Sequence, residues 1–233
     1  MKRTIILVLC LTSFIMLNAF LGDAGANITV GYVNSWITGD DEESESISGF
    51  NFGISWINYD TDRTFILEPG IRFATRGFSF NESWNETGWG GTTYVGWYKE
   101  EIKSTHLDLF LKAKYNIDRN FGGNISLFLY PYIGIAGSLT LSAKGTGSDF
   151  ETWTGPTSGS YSDSWSNEDV MDEYNSFNAL LALGVDVLIN DVWTIGIEFN
   201  RSLGSIMASD PDWGEWNIYY NTIIFNIGYA LRF

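Results

Sequence analysis

The stretch Ile223-Ile224-Phe225-Asn226-Ile227-Gly228-Tyr229-Ala230-Leu231-Arg232-Phe233 decides the fold of this chain. Every second residue is large and apolar (Ile223, Phe225, Ile227, Tyr229, Leu231, Phe233), and between them stand Ile224, Asn226, Gly228, Ala230 and Arg232. A period of two marks a strand whose faces meet different surroundings. Against a water-soluble core, the second face would be a row of solvated charges. Here it is mostly small, with one arginine, which suits a crowded interior. The bulky face therefore points outward to lipid and the small face inward, as in a transmembrane β-barrel.

The same alternation recurs along the chain. A first strand, 27–37, sets Ile28, Val30, Tyr32 and Trp36 against Asn27, Thr29, Gly31 and Ser35. A second sets Phe50, Phe52, Ile54 and Trp56 against Gly49, Asn51, Gly53 and Ser55. The third, 63–80, turns Phe65, Leu67, Ile71 and Phe73 outward and Glu68, Gly70, Arg72, Ala74 and Arg76 inward. In the fourth, Leu107, Leu109, Leu111, Ala113 and Tyr115 oppose His106, Asp108, Phe110, Lys112 and Lys114. The fifth carries Leu127, Leu129, Ile133, Ile135 and Leu139 outward, and its Pro131 requires a bulge or irregular pairing. The sixth and seventh turn Asp186 and Glu198 inward, and the stretch quoted first completes the eighth.

Connections one, three, five and seven are long and acidic: Asp40 to Glu45, Asn81 to Glu101, Ser142 to Asn175, and a loop through Asp210, Pro211, Asp212, Trp213 and Glu215. Connections two, four and six are short turns, the last at Asn190-Asp191. This asymmetry predicts an all-β, eight-stranded antiparallel up-and-down transmembrane β-barrel, with long loops extracellular and both termini periplasmic. It also predicts two aromatic belts, one with Trp56, Phe65, Tyr115, Trp193 and Phe233, the other with Trp36, Phe80, Phe177 and Tyr219. A soluble barrel of lipocalin type is the competing architecture, and belts, loop asymmetry and the terminal Phe argue against it.

A chain ending in an alternating strand with a final Phe resembles the terminal strand of bacterial outer-membrane barrels, which the barrel-assembly machinery recognises. Three stretches resemble the PorT-like outer-membrane β-barrel family: Leu67-Glu68-Pro69-Gly70-Ile71-Arg72-Phe73-Ala74-Thr75-Arg76-Gly77, Leu107-Asp108-Leu109-Phe110-Leu111-Lys112-Ala113-Lys114-Tyr115 and Tyr130-Pro131-Tyr132-Ile133-Gly134-Ile135-Ala136-Gly137. The resemblance implies fold and location, and it conveys no substrate and no active residue.

Lys2 and Arg3 precede an apolar run from Thr4 to Leu21 and then Ala24-Gly25-Ala26, the pattern of a secretory signal peptide cleaved after Ala26. Residues 1–26 are thus expected to be removed, and 27–233 to form one barrel domain. Cys10 lies in the removed part, so disulfide and thiolate chemistry are excluded from the mature chain. Taking Lys2, Arg3 and Asp23 from the 13 basic and 28 acidic residues leaves 11 against 27, a formal charge of −16. Such a surface repels nucleic acid.

The interior of an eight-stranded barrel is just wide enough for side chains to fill it. Glu68, Asp108, Asp186 and Glu198 with Arg72, Arg76, Lys112, Lys114 and Arg232 are expected to pair there as a polar plug, with His106 among them. A narrow ion or proton path through the same groups is the alternative. Ser104, His106 and Asp108 share a face. Same-face neighbours in a strand sit about 6.5 to 7 Å apart, whereas nucleophile and base need about 2.6 to 3.2 Å. The strand alone is therefore not expected to make a hydrolytic pair. A lipid-modifying enzyme would need His106 at the outer rim with a partner from another strand.

Trp84, Trp89, Trp97, Trp153, Trp165, Trp213 and Trp216 fall in the expected loops among Asn, Ser, Gly and acidic residues. They either pack loop on loop or continue the strands beyond the membrane, or they grip a surface glycan or protein ligand. The acidic clusters lack the ligand spacing of a known calcium loop and suit a solvated or lipopolysaccharide-bridging surface. No cofactor and no metal is expected, and the barrel is expected to be a monomer. The sequence thus points to surface interaction, adhesion or envelope maintenance, with the lipid-modifying enzyme and the small channel as alternatives.

Overall fold

The computed structural model describes residues 24–39, 42–58, 64–119, 125–207 and 217–232. Eight long strands carry the fold: β1 (Ala24–Gly39), β2 (Glu45–Asn58), β3 (Phe65–Thr87), β4 (Thr93–Tyr115), β5 (Leu127–Thr154), β6 (Phe177–Ile189), β7 (Trp193–Ser202) and β8 (Ile218–Arg232). Each pairs antiparallel with its neighbour in sequence. β8 returns to β1, in register from Gly25↔Arg232 to Gly39↔Ile218, and closes the ring. Phe233 lies outside the described residues.

Burial is inverted relative to a water-soluble domain. Phe65 is 71% exposed, Ile227 57% and Phe50 56%, whereas Lys114 and Glu198 are 1% exposed and Asp108 is 0%. Water would penalise that apolar surface, and a charge turned outward into hydrocarbon would cost several kcal/mol, so the strands are built for lipid outside and ion pairs inside. At the rim carrying the short turns, Phe65 meets Tyr115 and Trp193 meets Tyr229, each edge-on at 5.3 Å between ring centres. Nearer the other rim, Trp36 packs on Phe199 at 6.4 Å and Phe177 is exposed. Phe80 departs from the expected belt. Its parity is that of Phe78, and it packs against the cluster inside the barrel mouth.

The largest departure from expectation concerns the loops. β3 runs on to Thr87 and β4 starts at Thr93, so most of 81–101 is paired strand, joined through a 3-10 turn at Trp89–Gly91. β5 continues to Thr154, and a further strand, Gly159–Asp169, folds back on it. β2 leaves β3 at Glu45↔Ser79 and β6 leaves β5 at Leu139↔Phe177. One side of the barrel therefore rises as a four-stranded blade, roughly 25 Å of extra strand at about 3.3 Å per residue.

Proline marks where ladders stop. The β4–β5 ladder lapses opposite Pro131, between Lys114↔Tyr132 and Ile117↔Leu129, while Pro131 stays in register with Val185 on β6. Pairing is interrupted there and the register is kept, because proline offers no N–H. The bulge lies elsewhere: Thr105↔Ser142 is followed by His106↔Thr140, which leaves Leu141 unmatched. At the β6–β7 turn, Asn190 and Asp191 adopt φ of 49° and 59°, a left-handed conformation that these two residue types tolerate.

Inside the barrel, the Phe110 ring lies over Gly70, in the space a Cβ would take. Phe110 has little room to retreat, with the Arg72 guanidinium 5.6 Å and the Lys112 ammonium 5.1 Å from its ring centre. Gly70→Ala should cost about 1–3 kcal/mol by overpacking. The expected result is a lower urea midpoint in detergent, with Phe110→Leu on the same chain recovering part of it. An unchanged midpoint would mean that the Phe110 ring moves aside at no cost.

Candidate functional site

Two regions gather side chains capable of chemistry: the lumen and the blade. The inward positions of β3 and β4 supply Glu68, Arg72, Arg76, Asp108, Lys112 and Lys114, and β6 and β7 add Asp186 and Glu198. All eight are buried. Arg72 donates through Nε to Asp108 at 3.1 Å and through Nη1 to Glu198 at 2.5 Å. Arg76 donates to both oxygens of Asp108 and, at 3.0 Å, to Ser138. Lys112 reaches Glu198 Oε2 at 2.7 Å, and the Tyr132 hydroxyl donates to the same oxygen at 2.7 Å. Lys114 bridges Glu68 and Asp186, the latter at 2.6 Å. Four cations thus meet four carboxylates, so this layer is neutral. The cavity left between its members is about 10 Å³, at the threshold for one water. The side chain of Arg232 lies outside the described residues.

Apolar layers close the lumen on both sides of the charges. Toward the short turns stand Ile57, Ile66, Phe128, Tyr130, Leu188 and Ala230. Toward the blade, Ile37, Phe78, Ile102, Ile206, Ile218 and Tyr220 form a floor with Ala143 and Tyr174. Segments 170–176 and 203–207 are strapped across that floor by a bridge from Tyr174 to Met207. The Asn175 side-chain amide adds bonds to the carbonyls of Ser205 at 2.9 Å and Met207 at 2.8 Å. These inward apolar layers were missed by the expectation of small residues around a polar plug, although the alternation of β3, β4 and β8 already puts several of their members on the lumen face.

His106 sits between the charges and this floor, 3% exposed. Its Nε2 lies 2.7 Å from Ser104 Oγ on the same strand. The expectation that one strand cannot bring these groups together is therefore wrong. Cα positions two residues apart are separated by about 6.5–7 Å, but the side chains lean toward each other and span the gap. The hydrolytic constellation is still incomplete. Nδ1 of His106 faces the hydroxyls of Ser138 and Thr140, each at 3.4 Å, and Asp108 is occupied by the two arginines. Ser104 Oγ also contacts the Arg76 carbonyl at 3.2 Å and the Tyr220 hydroxyl at 3.0 Å, and it is 2% exposed. His106 is an interior residue and does not reach an outer, lipid-facing rim.

In the blade, three of the singled-out tryptophans stand opposite glycine on the neighbouring strand: Trp84↔Gly96, Trp165↔Gly147 and Trp153↔Gly159. Each indole occupies the space above its glycine, where a Cβ would collide. An aromatic laid across a cross-strand glycine covers otherwise bare backbone and pins register. All three indoles remain partly exposed. Trp97 stacks on Phe150, ring centres 6.3 Å apart, on the opposite face. The side chain of Trp89, and Trp213 and Trp216 with their acidic neighbours, lie outside the described residues, as do Asp40 and Asp41.

Alternation and register sort the blade into two unlike faces. The face continuing the lumen side carries Glu82, Glu86, Glu100, Asp149, Glu151 and Asp163, interleaved with the three glycine-backed tryptophans and with Tyr94, Tyr98 and Tyr161. It has no lysine or arginine. The other face is mostly Ser, Thr and Asn, with Lys99, Lys103 and Lys144.

A closed ring with an apolar exterior and a neutral, buried charge layer defines a membrane-spanning β-barrel. The family described as outer membrane protein beta-barrel domain matches residues 23–208, and the chain belongs to it. No curated protein matches the sequence. Among solved structures, Neisserial surface protein A is 10% identical with a TM-score of 0.40. Ail, the attachment invasion locus protein of Yersinia pestis, is 14% identical with a TM-score of 0.35. The outer membrane enzyme PagL is 11% identical with a TM-score of 0.26. Each match covers 90% of this chain and 99% of the other.

Proposed function

We propose that this outer-membrane barrel is a surface-interaction protein, in which the closed barrel is the anchor and the blade is the working part. The carrying observation is the blade's lumen-side face, where partly exposed indoles and phenols alternate with carboxylates and no cation balances them. On this reading the long hairpins face the cell exterior and both termini face the periplasm. Residues 1–26 are a leader removed by cleavage, at the cost of the first three residues of β1. The barrel inserts as a monomer through the barrel-assembly machinery and sits among lipopolysaccharide. On the same reading it is one of the PorT-like barrels, which its strand patterns resemble.

The two alternatives are weaker. A channel would have to pass two apolar layers and a charge layer with room for about one water. A lipid-modifying enzyme has the Ser104–His106 contact in its favour, but the pair is buried beneath the apolar floor and lacks a carboxylate on the second ring nitrogen.

Replacing 81–99 and 147–166 with short turns removes the blade and leaves the barrel strands. Whole cells carrying that chain should lose adhesion to protein-coated surfaces, while the barrel still fractionates with the outer membrane and shifts mobility on heating. Unchanged adhesion would refute the reading.

A further inference from the structure

We propose that the lumen-side face of the blade binds an arginine-rich segment of a partner protein. The inference rests on the surface-interaction reading and names the chemistry of the occupant. Three features of the face select it.

Charge comes first. Asp149 and Asp163 stand directly opposite each other on paired strands, an arrangement that is destabilising unless a cation joins it. The nearest blade cations, Lys99, Lys103 and Lys144, project from the other face. The field is felt by neighbouring phenols: Asp149 and Asp163 push the Tyr161 hydroxyl above its ordinary value, and burial followed by Glu100 does the same to Tyr98, which donates to Glu100 at 2.7 Å.

Spacing comes second. Among the described residues, no three or more His, Cys, Asp or Glu side chains converge closely enough to hold a metal ion. The carboxylates are instead spread along four strands, about 4.8 Å apart across the sheet and about 7 Å along it. A single ion cannot neutralise such an array. An extended polycation can.

Shape decides between cations. Trp84, Trp153 and Trp165 are each backed on one side by a glycine, which leaves flat aromatic surface beside the carboxylates. A guanidinium is planar, stacks on such rings and bonds carboxylates in pairs, whereas an ammonium is a compact, strongly hydrated charge. Anionic lipopolysaccharide is repelled from the same surface.

The test uses the full chain folded in a non-ionic detergent, titrated by calorimetry with a nine-residue arginine peptide, a nine-residue lysine peptide, spermine and calcium. The arginine peptide should bind, weaken as salt is raised, and exceed the lysine peptide by about tenfold. The isosteric Asp149→Asn/Glu151→Gln/Asp163→Asn chain should lose about tenfold or more in affinity, while Glu101→Gln on the other face leaves it unchanged. Trp97→Phe, on the other face against Phe150, should retain binding, and strand-rich circular dichroism with an unchanged urea midpoint shows that the triple amide chain still folds. No binding at low salt, an equal loss from Glu101→Gln, or spermine or calcium binding as tightly as the arginine peptide would each overturn the proposal. If cells without the blade lose adhesion but cells with the triple amide chain adhere normally, this inference fails and the surface reading stands. If the bladeless cells adhere, the surface reading itself has failed.

Discussion

Lys114→Met should unfold the barrel at urea concentrations the unaltered chain withstands. Lys114 is the shared partner of Glu68 and Asp186, and among the described side chains neither carboxylate has another ion pair. Breaking one buried pair costs about 3–5 kcal/mol, because the orphaned charge stays out of water. Here one substitution orphans two. Against a total stability of about 5–15 kcal/mol, such a loss consumes a large share. The same substitution combined with Glu68→Gln and Asp186→Asn removes the charges together and should recover most of the stability. A midpoint in urea, followed by tryptophan fluorescence in detergent or vesicles, separates these outcomes. If the single and triple substitutions are equally unstable, the loss comes from packing around the lysine stem and the ion-pair account is wrong.

Ile227→Arg is expected to be nearly as damaging, for the opposite reason. Ile227 lies outward in the middle of the β8 apolar row, 57% exposed, with Phe225 before it and Tyr229 after it. An arginine on the lipid face near mid-membrane costs about 2–4 kcal/mol, falling to about 0–1 near the interface. Tyr229→Arg, closer to the rim and to Trp193, should therefore be milder. In a water-soluble barrel both substitutions would be harmless, since an exposed position accepts charge. Equal stability of the Ile227→Arg and unaltered proteins in vesicles would mean that this face does not meet lipid.

The barrel was legible in the sequence because lipid imposes one rule on every strand: the outward row must be apolar, as in Ile28-Val30-Tyr32 or Leu107-Leu109-Leu111. The inward charges follow by subtraction, and Glu68, Arg72, Asp108, Lys112, Lys114, Asp186 and Glu198 all occupy the lumen. Where that rule lapses, so does the legibility. In the blade both faces are wet, and the alternation is of bulk: Phe80, Glu82, Trp84 and Glu86 against Asn81, Ser83 and Asn85. A template that scores apolar residues alone takes such a stretch for a loop. Its Thr, Tyr and Trp content, favourable to strands, and the glycines opposite Trp84, Trp153 and Trp165 were the available signs. The apolar floor was missed for a related reason. Phe78, Ile102, Ile218 and Tyr220 have inward parity, but a rule that makes the lumen polar leaves them no place. The Ser104–His106 contact escaped because spacing was reckoned between backbones, and side chains in a strand tilt along it.

The ion pairs also bear on the order in which the cylinder can come together. Turned inward, β3 and β4 contribute four cations and two carboxylates, while β6 and β7 contribute the other two carboxylates. The first hairpin by itself carries a surplus of two positive charges, and the second a matching deficit. Neither can settle into hydrocarbon alone without stranding charge. Only a precursor that holds both hairpins across from each other, with Arg72 reaching Glu198 and Lys114 reaching Asp186, cancels the imbalance. Membrane entry is thereby tied to near-complete closure, and half-built or misregistered sheets are rejected by their own electrostatics.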